Sequence, residues 1–127
     1  MDTRNTGNYQ RGLERIAELD DDVDKRVARL TAIHPDLGRY VIEFGFGEIL
    51  CRPGLTLQQR ELSTVSALAA IGAIPQLKVH VAASLKVGIS RTEIAETIIQ
   101  LAYYAGFPAA LNAMGAAREV FDQLDGK

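Results

Sequence analysis

One cysteine, two histidines and no tryptophan are the whole stock of scarce chemical side chains in 127 residues. Cys51 alone cannot close an internal disulfide or build a thiolate cage for a metal. A reducing cytoplasm is the compartment such a chain suits. His34 and His80 are too few for a multi-histidine site within one chain, so no metal is expected. There is no basic start followed by an apolar core, so no signal peptide is expected. No membrane-spanning helix is expected between Glu61 and Lys78, an uncharged run interrupted by Ser63, Thr64, Ser66, Gly72, Pro75 and Gln76. The net charge is −2 and the basic residues are scattered, which argues against a nucleic-acid surface. Sustained alternation of period two between hairpin turns is missing, and with it the signature of a sheet.

What is present is helical punctuation. Apolar residues make up 47% and charged residues 24%, the balance of a single folded domain over residues 1–127, with 1–8 and 125–127 as loose tails. The organising stretch runs from Thr56 to Gly88 and reads as two helices joined by a tight turn. Thr56 with Gln59 has the spacing of a capping box. Gly72 suits the left-handed position after a helix, and Pro75 suits the first turn of the next one. Before this pair, residues 9–19 form a short helix and Asp20-Asp21-Asp22 announces another. His34-Pro35 ends that helix and opens a third, carrying Leu37, Tyr40, Val41 and Phe44, whose far end Gly45 and Gly47 weaken. After the pair, Ser90-Arg91-Thr92-Glu93 is a second capping box, Gly106 stops its helix, and Pro108 starts the last. The fold class is therefore all-α, with about six to seven helices.

Segments 62–71 and 98–117 are apolar nearly all round. A helix without a polar face is covered on every side. A chain this short lacks the material to cover two of them, so a homo-oligomer is expected.

Two polar residues sit against this apolar background. On a wheel of about 100° per residue, Glu61 falls among Leu57, Val65 and Leu68. A buried carboxylate must be paired or protonated. A structural ion pair or a cap on a neighbouring helix would satisfy it as well as a catalytic role. His80 lies at the edge of the Leu77–Val81 stripe, where a satisfied core histidine is the bland alternative. Two antiparallel helices can bring the two side chains together. A carboxylate on one ring nitrogen then fixes the tautomer and leaves the other nitrogen to move a proton. Arg39, Arg52 and Arg60 could each grip a carboxylate through a planar fork, or could be solvated surface residues. His34 reads as a capping or surface residue, Cys51 as a small buried one, and Tyr103 or Tyr104 as a buried phenol in need of a partner.

The runs Gly47-Glu48-Ile49-Leu50-Cys51-Arg52-Pro53-Gly54-Leu55, Gln59-Arg60-Glu61-Leu62, Ala67-Leu68-Ala69-Ala70-Ile71-Gly72, Gln76-Leu77-Lys78-Val79-His80, Gly88-Ile89-Ser90-Arg91-Thr92-Glu93-Ile94 and Tyr104-Ala105-Gly106-Phe107-Pro108-Ala109-Ala110 resemble the carboxymuconolactone decarboxylase family. The resemblance is close over residues 45–121, and looser at Arg11-Gly12-Leu13. It implies an alkylhydroperoxidase-D-like helical fold built on a helical hairpin, assembled as trimers or hexamers. One branch of that family carries a Cys-x-x-Cys pair, a histidine after it and a glutamate upstream. Glu61 and His80 match the glutamate and histidine, but the cysteine positions fall on Ala73 and Gln76. A dithiol peroxidase needs one thiolate to attack peroxide and a second thiol to resolve it. This chain should lack that activity, even though family-level annotation would assign peroxiredoxin activity.

The other branch decarboxylates 4-carboxymuconolactone in aromatic-compound degradation, without a cofactor. The resemblance thus implies a carboxy-lyase for that lactone or a related small carboxylated lactone or keto acid. His80 would donate the proton or meet the oxyanion, Glu61 would orient it, and Arg52 or Arg60 would hold the substrate carboxylate. Many decarboxylases of that branch have a small polar residue where Glu61 stands, a departure that bears on the substrate. A thiol-dependent peroxide or redox protein and a non-catalytic oligomer binding a small acid are the two alternatives.

Overall fold

The computed structural model describes residues 7–127, and every described element is helical. The expected tail over residues 1–8 falls partly outside that range; Gly7 and Asn8 already belong to the first helix. The chain divides into two compact units, one ending at Thr56 and one beginning at Leu57.

The N-terminal unit holds α1 (Gly7–Leu19), α2 (Val23–Ile33), α3 (Pro35–Tyr40) and a π-helical segment (Val41–Ile49) continuous with α3. Asp22 caps α2 by accepting from the Lys25 amide at 3.0 Å. His34 ends α2 and caps α3 by accepting the Asp36 amide on Nδ1, the capping role expected for it. Gly45 and Gly47 do not end the third helix. They lie inside the π-helical segment, and the Leu50 amide closes it on the Gly45 carbonyl five residues back. A Cβ on Gly47 would collide with the Asn8 carbonyl, and one on Gly12 with the Ile42 carbonyl. The two backbones therefore touch where side chains would hold helices 8–10 Å apart. Ile16, Leu19 and Ile42 are buried in this unit.

The C-terminal unit holds α4 (Leu57–Ile71), α5 (Ile74–Lys86), α6 (Arg91–Ala105) and α7 (Phe107–Leu124). Gly72, at φ +75°, makes the turn from α4 to α5. Pro75 then lies in the first turn of α5. Ser90 and Glu93 form the expected capping box at the start of α6: the serine hydroxyl accepts the Glu93 amide and the glutamate accepts the Ser90 amide, both at 3.0 Å. Helices α4 and α5 pack on each other, and α6 and α7 pack across them. Val65, Leu77, Val81, Ile94, Ile98, Ala113 and Ala117 form a core with no exposure or almost none. Small residues on α7 (Ala110, Ala113, Ala116, Ala117) let its backbone approach the others closely. Arg91 reaches the far end of α7 and grips Asp125 with both nitrogens, at 2.7 and 2.9 Å. No helix among the described residues is long and apolar enough to cross a membrane.

Candidate functional site

The site grows out of the α4–α5 hairpin. The two-residue link Gly72-Ala73 returns the chain on itself, so α4 and α5 lie side by side. Glu61 is in the second turn of α4, on the face that buries Val65 and Ala69. The carboxylate is fully buried. His80 is in the second turn of α5, beside the fully buried Leu77 and Val81. Its Nδ1 lies 2.9 Å from one Glu61 oxygen and 3.1 Å from the other. The structure thus joins the two candidates that the sequence singled out.

This contact fixes proton positions. With Glu61 ionised its oxygens only accept, so Nδ1 carries the hydrogen and shares it between them. A neutral His80 then has its lone pair on Nε2, and a charged one has its transferable proton there. The imidazole keeps 16% of its surface open whereas the carboxylate keeps none. Such an arrangement can serve as an acid–base group, with one edge anchored in the core.

Two hydroxyls support the hairpin locally. Ser84, fully buried one turn after His80, donates to the His80 carbonyl at 2.7 Å. Thr64 donates to the Arg60 carbonyl at 2.8 Å. Back-bonds of this type shift helix geometry slightly and consume the hydroxyl. Ser84 is therefore not a nucleophile waiting beside the histidine, and no sequence signal distinguishes it from an ordinary helix serine.

The arginines are placed less closely. Arg60 precedes Glu61, so it leaves α4 about 100° away from the buried carboxylate, and it is half-buried. Arg52 is exposed in the loop after the π-helical segment, within the N-terminal unit. Cys51 belongs to that unit too. Its thiol donates to the Phe46 carbonyl at 3.2 Å and is half-buried. Burial pulls the neighbouring Arg15 guanidinium down, but Cys51 and Glu18 outweigh it and hold that guanidinium above its ordinary value. No group of three or more His, Cys, Asp or Glu residues suited to a metal occurs among the described residues. Tyr103 and Tyr104 are not buried phenols: they are 87% and 78% exposed, stacked edge to face at 5.0 Å. Among the described residues of the C-terminal unit, that end of α6 is left exposed.

The fold and site are those of a small all-α protein with a Glu–His pair anchored in a helical hairpin, and comparison with known sequences gives the particular family. The chain belongs to the carboxymuconolactone decarboxylase family, whose model matches residues 35–119 and so spans the junction of the two units. It is 34% identical over 118 residues to a 4-carboxymuconolactone decarboxylase of Acinetobacter baylyi, covering 91% of this chain and 88% of that one. It is 36% identical over 93 residues to an uncharacterized 15.0 kDa protein of Paracoccus denitrificans, covering 72% of this chain and 69% of the other. A nitrosuccinic acid decarboxylase of Metarhizium robertsii is 28% identical over 84 residues, 66% of this chain and 59% of its own.

Proposed function

We propose that this protein is a cofactor-free carboxy-lyase acting on 4-carboxymuconolactone or a related small carboxylated lactone or keto acid. The observation that carries the reading is the fully buried Glu61 carboxylate with both oxygens on Nδ1 of a partly open His80. Two of the similar proteins are named as decarboxylases, for a carboxylated lactone and for nitrosuccinic acid. Both names give a decarboxylation, on two different acids, which supports the reaction class more firmly than any one substrate.

The chemistry asks three things of the chain. The substrate carboxylate must be held, and Arg52 and Arg60 are the candidate forks. When the carbon–carboxylate bond breaks, its electron pair moves into the conjugated lactone and ends as negative charge on the carbonyl oxygen. Carbon dioxide leaves, and one proton must return to carbon. His80, charged and holding that proton on Nε2, can stabilise the oxygen or deliver the proton. Glu61 keeps the ring in the required tautomer and orientation. The lactone itself serves as the electron sink, which is why no cofactor is required.

His80→Gln tests this directly, because glutamine can still donate to Glu61 but cannot carry a proton. Turnover of 4-carboxymuconolactone should fall by about 10²–10⁴-fold, the usual range for a lost general acid. Glu61→Gln, which keeps an acceptor but removes the charge, should lower kcat and leave KM nearly unchanged. Wild-type rates in His80→Gln would remove His80 from the mechanism.

A further inference from the structure

One turn before His80 on α5 stands an idle polar side chain. Gln76 is exposed, and its amide has no hydrogen-bond partner among the described residues. Side chains four apart on a helix share a face, with about 5–6 Å between their Cβ atoms. A helical side chain also leans toward the N-terminus, so the His80 ring lies over the turn that holds Gln76 and Leu77. Of the four residues one turn away from His80, Leu77, Ala83 and Ser84 are buried and Gln76 alone is exposed. Glu61 holds Nδ1. The 16% of the imidazole that stays open therefore faces the Gln76 amide.

Decarboxylation of a conjugated lactone makes two demands at this open edge. Negative charge collects on the carbonyl oxygen, and a carbon close to that oxygen takes a proton. One imidazolium N–H cannot meet both at once. A glutamine amide is a neutral donor with no transferable proton, so it can hold the oxygen without competing for the carbon. No other side chain of α5 fills this place. Lys78 leaves the opposite side of the helix and pairs with Glu119. The Ser84 hydroxyl is spent on the His80 carbonyl. The first turn of α5 is also the positive end of its helix dipole, which favours the charged oxygen there.

We propose that Gln76 touches the substrate and binds the developing oxyanion, while Nε2 of His80 delivers the proton; this rests on the decarboxylase reading and divides its two tasks. As the carbon–carboxylate bond breaks, carbon dioxide leaves and the electron pair passes through the double bond onto the carbonyl oxygen beside Gln76. The pair then returns to carbon and forms the new C–H bond with the His80 proton, leaving the imidazole neutral. Gln76→Leu keeps the size and helix propensity of the side chain but removes the donor. It should stay helical by circular dichroism and lower kcat on 4-carboxymuconolactone about 10²-fold, with KM nearly unchanged. Wild-type kcat and KM in Gln76→Leu, beside an inactive His80→Gln, overturn this role and leave the decarboxylase reading standing. Wild-type rates in both variants overturn both. A raised KM at wild-type kcat makes Gln76 a ground-state contact and also overturns the oxyanion role. Nitrogen-15 NMR decides without turnover, even if Gln76→Leu fails to fold. Adding 4-carboxymuconolactone to labelled His80→Gln protein should shift the Gln76 side-chain amide signal, and an unmoved signal overturns the contact. A shifted signal with an inactive wild-type protein keeps the contact and sinks the decarboxylase reading and the oxyanion role with it.

Discussion

At the residue scale the cost of Glu61 is the informative quantity. A fully buried carboxylate loses its hydration, and the protein must return most of that through Nδ1–H of His80. An apolar residue there would pack against Val65 and Ala69 without any such penalty, so stability alone does not account for the pair. The consequence is measurable without substrate. His80→Ala leaves the carboxylate uncompensated and should cost about 3–5 kcal/mol, a large share of the roughly 5–15 kcal/mol that holds a small protein together. His80→Gln restores a donor and should recover most of it. Urea unfolding of the two variants makes the comparison. If both lose the same small amount, Glu61 is satisfied by something other than the imidazole.

At the scale of elements, two carboxylates at helix ends are held below their ordinary range. The hydrogen bonds from Ser90, backbone first and hydroxyl second, hold the Glu93 carboxyl below its usual range. The Arg91 guanidinium does the same for Asp125. Both groups have folded values under their unfolded ones, so the unfolded chain binds more protons in that interval and stability rises with pH. Their contribution is complete above the ordinary carboxylate values of about 3.9–4.3 and is lost as pH falls below them. A double variant, Glu93→Gln with Asp125→Asn, should therefore have a melting temperature that falls less steeply than wild type below pH ~4. A parallel fall would show that other carboxylates govern the acid transition.

The same helix ends explain what could be read in advance. Gly72, Pro75 and the Ser90–Glu93 box are local signals, each tied to one backbone conformation or one hydrogen bond. The Glu61–His80 contact was legible because a two-residue link leaves two helices no choice but to lie side by side. The π-helical segment was not. Val41–Ile49 has little polar contrast, so its pattern does not distinguish one helical period from another, and Gly45 and Gly47 read only as residues that weaken a helix end. Only the contact with α1 through Gly47 and Gly12 shows why glycine is wanted there. Tyr103 and Tyr104 were misplaced for a different reason: an apolar segment signals burial without saying whether its own chain provides the cover.

For the molecule as a whole, the question is which of two chemistries the chain can complete. Peroxide reduction by a dithiol needs a sulfur to be oxidised and a second to release it. Cys51 is the only thiol in the sequence, and its hydrogen is already engaged with the Phe46 carbonyl. The positions where the redox branch of the family would place its pair hold Ala73, at the cap of α5, and Gln76, exposed in its first turn. The Glu–His pair remains without the sulfur, and a proton can still move through it. Cys51→Ser should accordingly leave decarboxylation of 4-carboxymuconolactone unchanged, and neither protein should consume peroxide with dithiothreitol faster than the reagent alone. A coupled assay on both proteins, with ultraviolet detection of lactone loss, measures the two activities side by side. Loss of lyase activity in Cys51→Ser, with His80→Gln still active, would move the reacting centre from the α4–α5 hairpin to the N-terminal unit.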